Sequence, residues 1–272
     1  LRTAALLVQR GARLVATNAD ATYPAPDGLW PGAGSILAAV VTATGANPIV
    51  VGKPARPMFE TAAERIGSFT PLVVGDRLDT DIAGAAALGW DSLLVTTGAH
   101  GYADLIGTPA VPTYVGDGLA ALGGPATRVG FRAATSADVD AIDALLRAGG
   151  LAAEGVEERI AHTVVGEDDD GRPVATAVAE PLERDVLVRS VAVSEDLRGR
   201  GVGALAVATA MSAAPHASSE QRIWAFTETA AAFFARLGFE PVDRDALPPP
   251  VADSRQLQQE CAVTATVMVR VR

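Results

Sequence analysis

Little in this chain can be oxidised, and little of it is basic. A single cysteine among 272 residues, Cys261, excludes an internal disulfide and fits a reducing compartment. Lys and Arg number 22 against 32 Asp and Glu. The resulting charge of −10 is spread along the chain, which argues against a nucleic-acid surface and for an acidic, solvated one. No apolar run approaches the ~20 residues of a membrane span, and no signal peptide is visible. The expectation is a cytoplasmic protein with neither nucleic-acid nor membrane partners. Position 1 is Leu rather than Met, from which a natural N-terminus further upstream is expected. What is abundant is apolar: 49% of the residues, with 27 Gly and 17 Pro, a core-forming composition sufficient for one large domain or two ordinary ones.

The rhythm changes once. Over residues 1–122 short apolar strands alternate with helical segments: "ARLVATNAD", "SILAAVVTATG", "NPIVVGKP", "MFETAAERIG", "PLVVGD", "TDIAGAAALG", "DSLLVTTG". That alternation predicts a parallel sheet in an α/β fold. "GGPATR" (123–128) reads as a linker, which puts the expected domains at 1–124 and 129–272. Beyond it the order predicted is β-α-α-β-β-β-α-β-α-β, an α+β domain with a mixed sheet. Its signals are a capping box at Thr135 and Asp138, a hairpin turn at Asp170-Gly171, and the prolines of "LPPPV" (247–251), which predict an extended loop.

Between a strand and an alanine-rich helix lies "LRGRGVG". Read as G-x-G-x-x-A (Gly199, Gly201, Ala204), with Glu220 near the acidic position, it has the letters of a dinucleotide fingerprint. The context is wrong, because such a glycine follows its strand at once and opens a βαβ unit, whereas "SEDLR" intervenes after what reads as an antiparallel meander. A glycine turn without ligand is the other alternative. Read as Arg-x-x-Gly-x-Gly, the segment resembles the pyrophosphate loop of the GCN5-related N-acetyltransferases (GNAT). Glycines there let backbone N–H groups approach a diphosphate at a helix N-terminus. The resemblance implies acetyl-CoA bound by Arg198, Gly199, Arg200, Gly201, Val202 and Gly203, with main-chain groups of Val191 and Val193 toward the pantetheine arm. "FFARLGF" (233–239) is similar to a second mark of that family, F-Y-x-x-x-G-F, except that Phe234 stands where many members have a tyrosine that protonates the thiolate. Transfer to an amine also needs a proton acceptor, for which Glu228 is the candidate; Arg189 is the candidate for gripping a substrate carboxylate. The string from "RSVAV" to "LPPPV" further resembles acetyltransferases associated with arsenic-resistance operons, which implies a small amine or amino-acid-like acceptor.

In the first half, "VVGDRLDTDI" ends a strand at Asp76 and sets Asp81 at the next helix, and "VVGKP" sets Lys53 at another strand end. Carboxylates beside a lysine suit Mg²⁺-assisted phosphoryl chemistry. Together with "TNAD…PGAG" these motifs resemble the haloacid dehalogenase (HAD) superfamily, in particular phosphatases with a C2-type cap acting on glycerol or nucleotide phosphates. The resemblance implies Mg²⁺ at Asp76 and Asp81, a catalytic Lys53, and Asn18 and Asp20 near a phosphate-ester substrate. The family's nucleophile motif, Asp-x-Asp-Gly-Thr, is not among these residues. Covalent catalysis needs that group, so these residues are not expected to hydrolyse phosphate esters on their own. The apolar faces of an incomplete half-core would favour association between copies or poor stability.

Overall fold

A computed structural model describes residues 1–68, 70–124, 127–215, 221–254, 256–260 and 264–271. Glu220 and Cys261 lie outside them. The described residues divide into two compact units: 1–73 with 79–91, and 74–78 with 92–272.

The first unit opens with helix α1 (Arg2–Gln9) and strand β1 (Val15–Ala16). A hairpin, β2 (Thr22–Ala25) and β3 (Gly28–Pro31), leads to α2 (Ala33–Thr44), then β4 (Ile49–Val50) and α3 (Arg56–Ile66). β1 and β4 pair in parallel, as the alternation predicts. α2 and α3 stop at Gly45 and Gly67, each at positive φ, as "ATG" and "RIG" lead one to expect. The hairpin and α1 were not expected. Strand β5 (Val73–Gly75) is followed by a π-helical turn, Leu78–Ile82, that runs into α4 (Ala83–Leu88). Within the first unit α4 packs on α3 so closely that a Cβ at Gly84 would fall 2.2 Å from the ring of Phe59.

The second unit holds a three-stranded sheet in the order β5-β6-β7, where β6 is Ser92–Val95 and β7 is Tyr114–Gly116, paired in parallel. It also holds β8 (Gly130–Ala133), α5 (Val139–Ala148), β9 (Thr163–Glu167), β10 (Pro173–Leu182), β11 (Asp185–Val193) and α6 (Val202–Ala213). β12 (Arg222–Thr227), α7 (Ala231–Arg236), β13 (Glu240–Val242), α8 (Pro249–Ala252) and β14 (Thr266–Val271) complete it. The large sheet runs β13-β14-β12-β11-β10-β9-β8 and is antiparallel except at β11–β12, the mixed sheet expected. β13, a strand of three residues, went unread. "LPPPV" contains a helical turn rather than an extended loop throughout: Pro248 caps α8 and its next two prolines occupy the first turn, where a missing N–H costs nothing.

The compact units do not follow the "GGPATR" stretch. Residues 92–122 group with the acetyltransferase-like half, and named contacts hold them there. Arg270 on β14 donates to the carbonyl of Ala103 at 2.7 Å, and Arg236 on α7 meets Asp117 at 2.6 Å.

The core is where the pattern places it. α6 buries Val202, Ala204, Leu205, Ala206, Val207, Ala208, Ala210 and Met211 against the sheet, which is why it is alanine-rich and apolar all round. The capping box is present: Asp138, 7% exposed, accepts from the Thr135 N–H at 2.8 Å and hydroxyl at 2.9 Å. Arg132 on β8 reaches the same carboxylate with two bonds of 2.8 Å. That guanidinium holds the Asp138 carboxyl well below the usual carboxylate range.

Candidate functional sites

The second unit contains a cleft of about 740 Å³, and its geometry starts in β11. Opposite β10, Thr176 pairs with Ala192 and Val178 with Arg189, so Ser190 and Val191 face one residue and form a bulge. Ser190 sits at φ 51, in the left-handed region that non-glycine residues seldom occupy. On the other side, parallel pairing with β12 ends at Val188 and Ala225. Beyond those residues the two strands part, and Val188 to Val191 on one and Phe226 to Ala230 on the other line the opening. Ser190 and Val191 are thereby outside both ladders, and both residues border the cleft.

At its other end the cleft is bounded by the glycine loop. Gly199 and Gly201 stand at φ 76 and 78, a conformation that strains any side chain. Gly201 caps α6, whose first N–H groups have no partner within the helix and carry its positive end. The three glycines serve different purposes. Gly199 has open space where a Cβ would be; Gly201 abuts Val115; Gly203 admits the ring of Phe233, 3.3 Å from where its Cβ would lie. Arg198 and Arg200 are exposed beside the loop. Arg198 Nε donates to the carbonyl of Val193 at 3.1 Å, so that carbonyl is engaged by the protein. Val191, Val193, Arg198, Gly199, Gly201, Val202 and Gly203 all border the cleft.

Glu228 borders it as well, exposed, one residue past β12. Arg189 does too, but at 4% exposure and 3.5 Å from Glu180, so a protein carboxylate already answers part of its charge. Phe234 is 5% exposed and stacks edge-on with both Phe233 and Phe239, at 5.1 and 5.3 Å between centroids. Tyr102 is a lining residue that sequence reasoning missed. It lies 132 positions before Phe234, in a segment whose motifs point to other chemistry, and no local pattern marks it.

In the first unit, Gly52 brings the end of β4 against the end of β1: a Cβ there would fall 1.6 Å from the Thr17 carbonyl oxygen. Gly32 and Gly34 press the start of α2 onto the Asn18–Asp20 turn, where their Cβ positions would lie 2.3 and 2.2 Å from the carbonyl oxygens of Asp20 and Ala19. This is a physical reason for "PGAG". Asp20 N–H donates to Asn18 Oδ1 at 3.2 Å. Lys53 Nζ lies 2.7 Å from Asp81, whose side chain is 6% exposed. Asp76 belongs to the second unit, where its Oδ2 accepts from Ala99 N–H at 2.8 Å. Two aspartates, one bonded to a lysine and one to a backbone amide, fall short of a Mg²⁺ cage. Among the described residues no cluster of three or more His, Cys, Asp or Glu could hold a metal.

Fold and cleft thus define a GNAT acetyltransferase domain following a HAD-like hydrolase region, and comparison with known proteins agrees. Residues 50–122 match the HAD-hydrolase-like family and residues 159–241 the acetyltransferase (GNAT) domain. A D-glycerol 3-phosphate phosphatase of Mycobacterium tuberculosis is 48% identical over 124 residues, 45% of this chain and 35% of that protein. A dihydroxyacetone phosphatase of Corynebacterium glutamicum is 37% identical over 124 residues, 45% of each chain. The crystal structure of a glycerol phosphate phosphatase of M. tuberculosis in complex with magnesium aligns over 86% of this chain and 57% of its own, at 32% identity and a TM-score of 0.55. The chain therefore spans less than half the length of the two curated relatives. Among the described residues no helix is long and apolar enough to cross a membrane.

Proposed function

We propose that the chain is an acetyl-CoA-dependent N-acetyltransferase for a small amine or amino-acid-like acceptor. One observation carries the reading: a single cleft joins the glycine-loop start of α6 to the parted strands β11 and β12. A long, two-ended substrate fits that shape, with an anionic group at the helix terminus and a reacting group at the bulge. Backbone N–H groups of Gly199 to Gly203, with Arg198 and Arg200, would hold a pyrophosphate. The main chain at Ser190 and Val191 would meet the pantetheine and acyl end, while Val193 serves mainly to orient Arg198. When bound, acetyl-CoA supplies an activated acyl group. Glu228 takes the proton that the acceptor amine must lose, directly or through water. Arg189, already beside Glu180, contributes less to a substrate carboxylate than a solvent-facing arginine would. Phe234 can exchange no proton.

The test is release of coenzyme A thiol from acetyl-CoA across a panel of amines and amino acids, with Glu228→Gln alongside. Thiol release by the native chain that falls at least tenfold in E228Q supports the reading. Absence of both release and acetyl-CoA binding sinks it.

A second reading is favoured by the 48% identity to a phosphatase over the first half. In it Lys53 and Asp81, with Asn18 and Asp20, belong to a phosphatase of small phosphate esters whose nucleophile is supplied by further sequence, and the acetyltransferase domain regulates it. Adding a segment bearing Asp-x-Asp-Gly-Thr upstream and assaying an aryl phosphate with Mg²⁺ would decide; absence of turnover rejects it.

A further inference from the structure

Two residues that line the cleft, Tyr102 and Arg236, meet a third, Asp117, and two of the three come from the HAD-like segment. Tyr102 precedes a short helical turn, Ala103–Leu105, and Asp117 follows β7. Arg236 lies in the last turn of α7. Its guanidinium carbon sits 4.2 Å from the centroid of the Tyr102 ring, and its Nη2 lies 2.6 Å from Asp117 Oδ1. Tyr102 and Arg236 both line the cleft.

The trio's position along the cleft follows from its neighbours. Asp117 is two residues from Val115, and Val115 is what Gly201 abuts. The trio therefore lies by the glycine loop. A pyrophosphate on that loop leaves two directions for the rest of coenzyme A. The acyl arm runs toward the bulge, so the phosphorylated adenosine runs toward the trio. An aromatic face backed by a guanidinium is a stacking platform for a purine, and a guanidinium is a bidentate partner for a phosphate.

The salt bridge has the character of a placeholder. Asp117 is 75% exposed at its side chain and Arg236 56%, so the pair gains little in water and yields readily to a better anion. Burial first, and the Asp117 carboxylate next, push the Tyr102 phenol above its usual range, so at neutral pH the ring is an uncharged surface.

We propose that Tyr102 and Asp117 form, with Arg236, a nucleotide subsite of the acyl-CoA cleft: the Tyr102–Arg236 stack receives the adenine, and the 3′-phosphate displaces Asp117 from Arg236. The subsite rests on the acetyl-CoA reading above. It gives the HAD-like segment a direct part in binding the acyl donor, and it makes Arg236, through the exchange of Asp117 for the 3′-phosphate, the residue that distinguishes phosphorylated from unphosphorylated donors.

Calorimetry with coenzyme A and with 3′-dephospho-coenzyme A tests it on the native chain and on Tyr102→Ala, Tyr102→Phe and Asp117→Asn, each checked for an unchanged melting temperature. Y102A should weaken both ligands roughly tenfold, and Y102F, which keeps the ring, should bind both as the native chain does. D117N, a substitution at an exposed position, should strengthen coenzyme A several-fold and leave the dephospho form unchanged. Native-like binding by Y102A, or an equal effect of D117N on the two ligands, overturns the subsite while leaving the acetyltransferase reading intact. If the native chain binds neither ligand, that reading fails and the subsite falls with it.

Discussion

Gly201 lies against Val115: a methyl group on the glycine would fall 2.4 Å from the valine Cγ1 and 2.9 Å from its carbonyl oxygen. The loop that caps α6 is thus shaped from two sides, by its own left-handed backbone and by strand β7 of the HAD-like segment. Gly201→Ala should therefore lose at least about 2 kcal/mol in denaturant unfolding. Gly199→Ala, at nearly the same φ but with open space around it, should lose only about 1 kcal/mol. Equal losses would show that Val115 does not constrain the loop.

Phe234 gives a prediction of opposite sign. It borders the cleft, at the position that the resemblance of "FFARLGF" to F-Y-x-x-x-G-F would give to a tyrosine. Phe234→Tyr should raise the rate of acetyl transfer on the order of tenfold with little change in the KM for acetyl-CoA. A rise in KM without a gain in rate would mean that the new hydroxyl merely disturbs the stack with Phe233 and Phe239.

The Asp138 carboxylate makes stability depend on acidity in a defined direction. Its folded pKa is depressed by Arg132, so the pair stabilises the fold above the unfolded value near 4 and ceases to do so as the pH falls. Asp138→Asn should cost about 2 kcal/mol at pH 7, and its thermal melts should begin to approach those of the native chain below roughly pH 4, the gap narrowing on toward the depressed folded value. A gap that persists unchanged in acid would assign the loss to the capping geometry instead of the charge.

The parallel junction of the sheet is tied by a different aspartate. Asp185, 6% exposed, accepts from the indole N–H of Trp224 at 2.8 Å and from the backbone N–H of Arg222 at 3.3 Å, with the Arg222 guanidinium 3.2 Å away. Asp185→Ala should cost about 3 kcal/mol. Combined with Trp224→Phe, it should show a coupling energy of about 1 kcal/mol in a double-mutant cycle. Strict additivity would show that the indole bond contributes nothing.

How much of this was readable beforehand depends on how local the signal is. Thr135 and Asp138 lie three apart, and their box could be read directly. Asp168 to Gly171 gave the β9–β10 turn, where Asp168 Oδ1 accepts from the N–H groups of Asp170 and Arg172. Gly199 and Gly201 announced their backbone. The bulge at Ser190 left no trace, because a serine in the left-handed region carries no glycine to mark it. Strand β13 was too short for alternation to register. Tyr102 was invisible for a further reason: its partners, Arg236 and Asp117, are brought to it only by the tertiary fold. Lys53 and Asp81 were readable as strand-end and helix-start residues, but their contact at 2.7 Å was not.

The grouping of residues 92–122 with the acetyltransferase half has a historical consequence. The small-residue stretch begins at residue 123, yet the compact units part some thirty residues further upstream, between Asp91 and Ser92. Strands β6 and β7, which lie in the stretch that matches the HAD-hydrolase-like family, group with the acetyltransferase domain. Val115 lies against Gly201, and Asp117 is paired with Arg236. Mutational drift in those strands should thus track the acetyltransferase half of the protein rather than the half whose sequence they resemble.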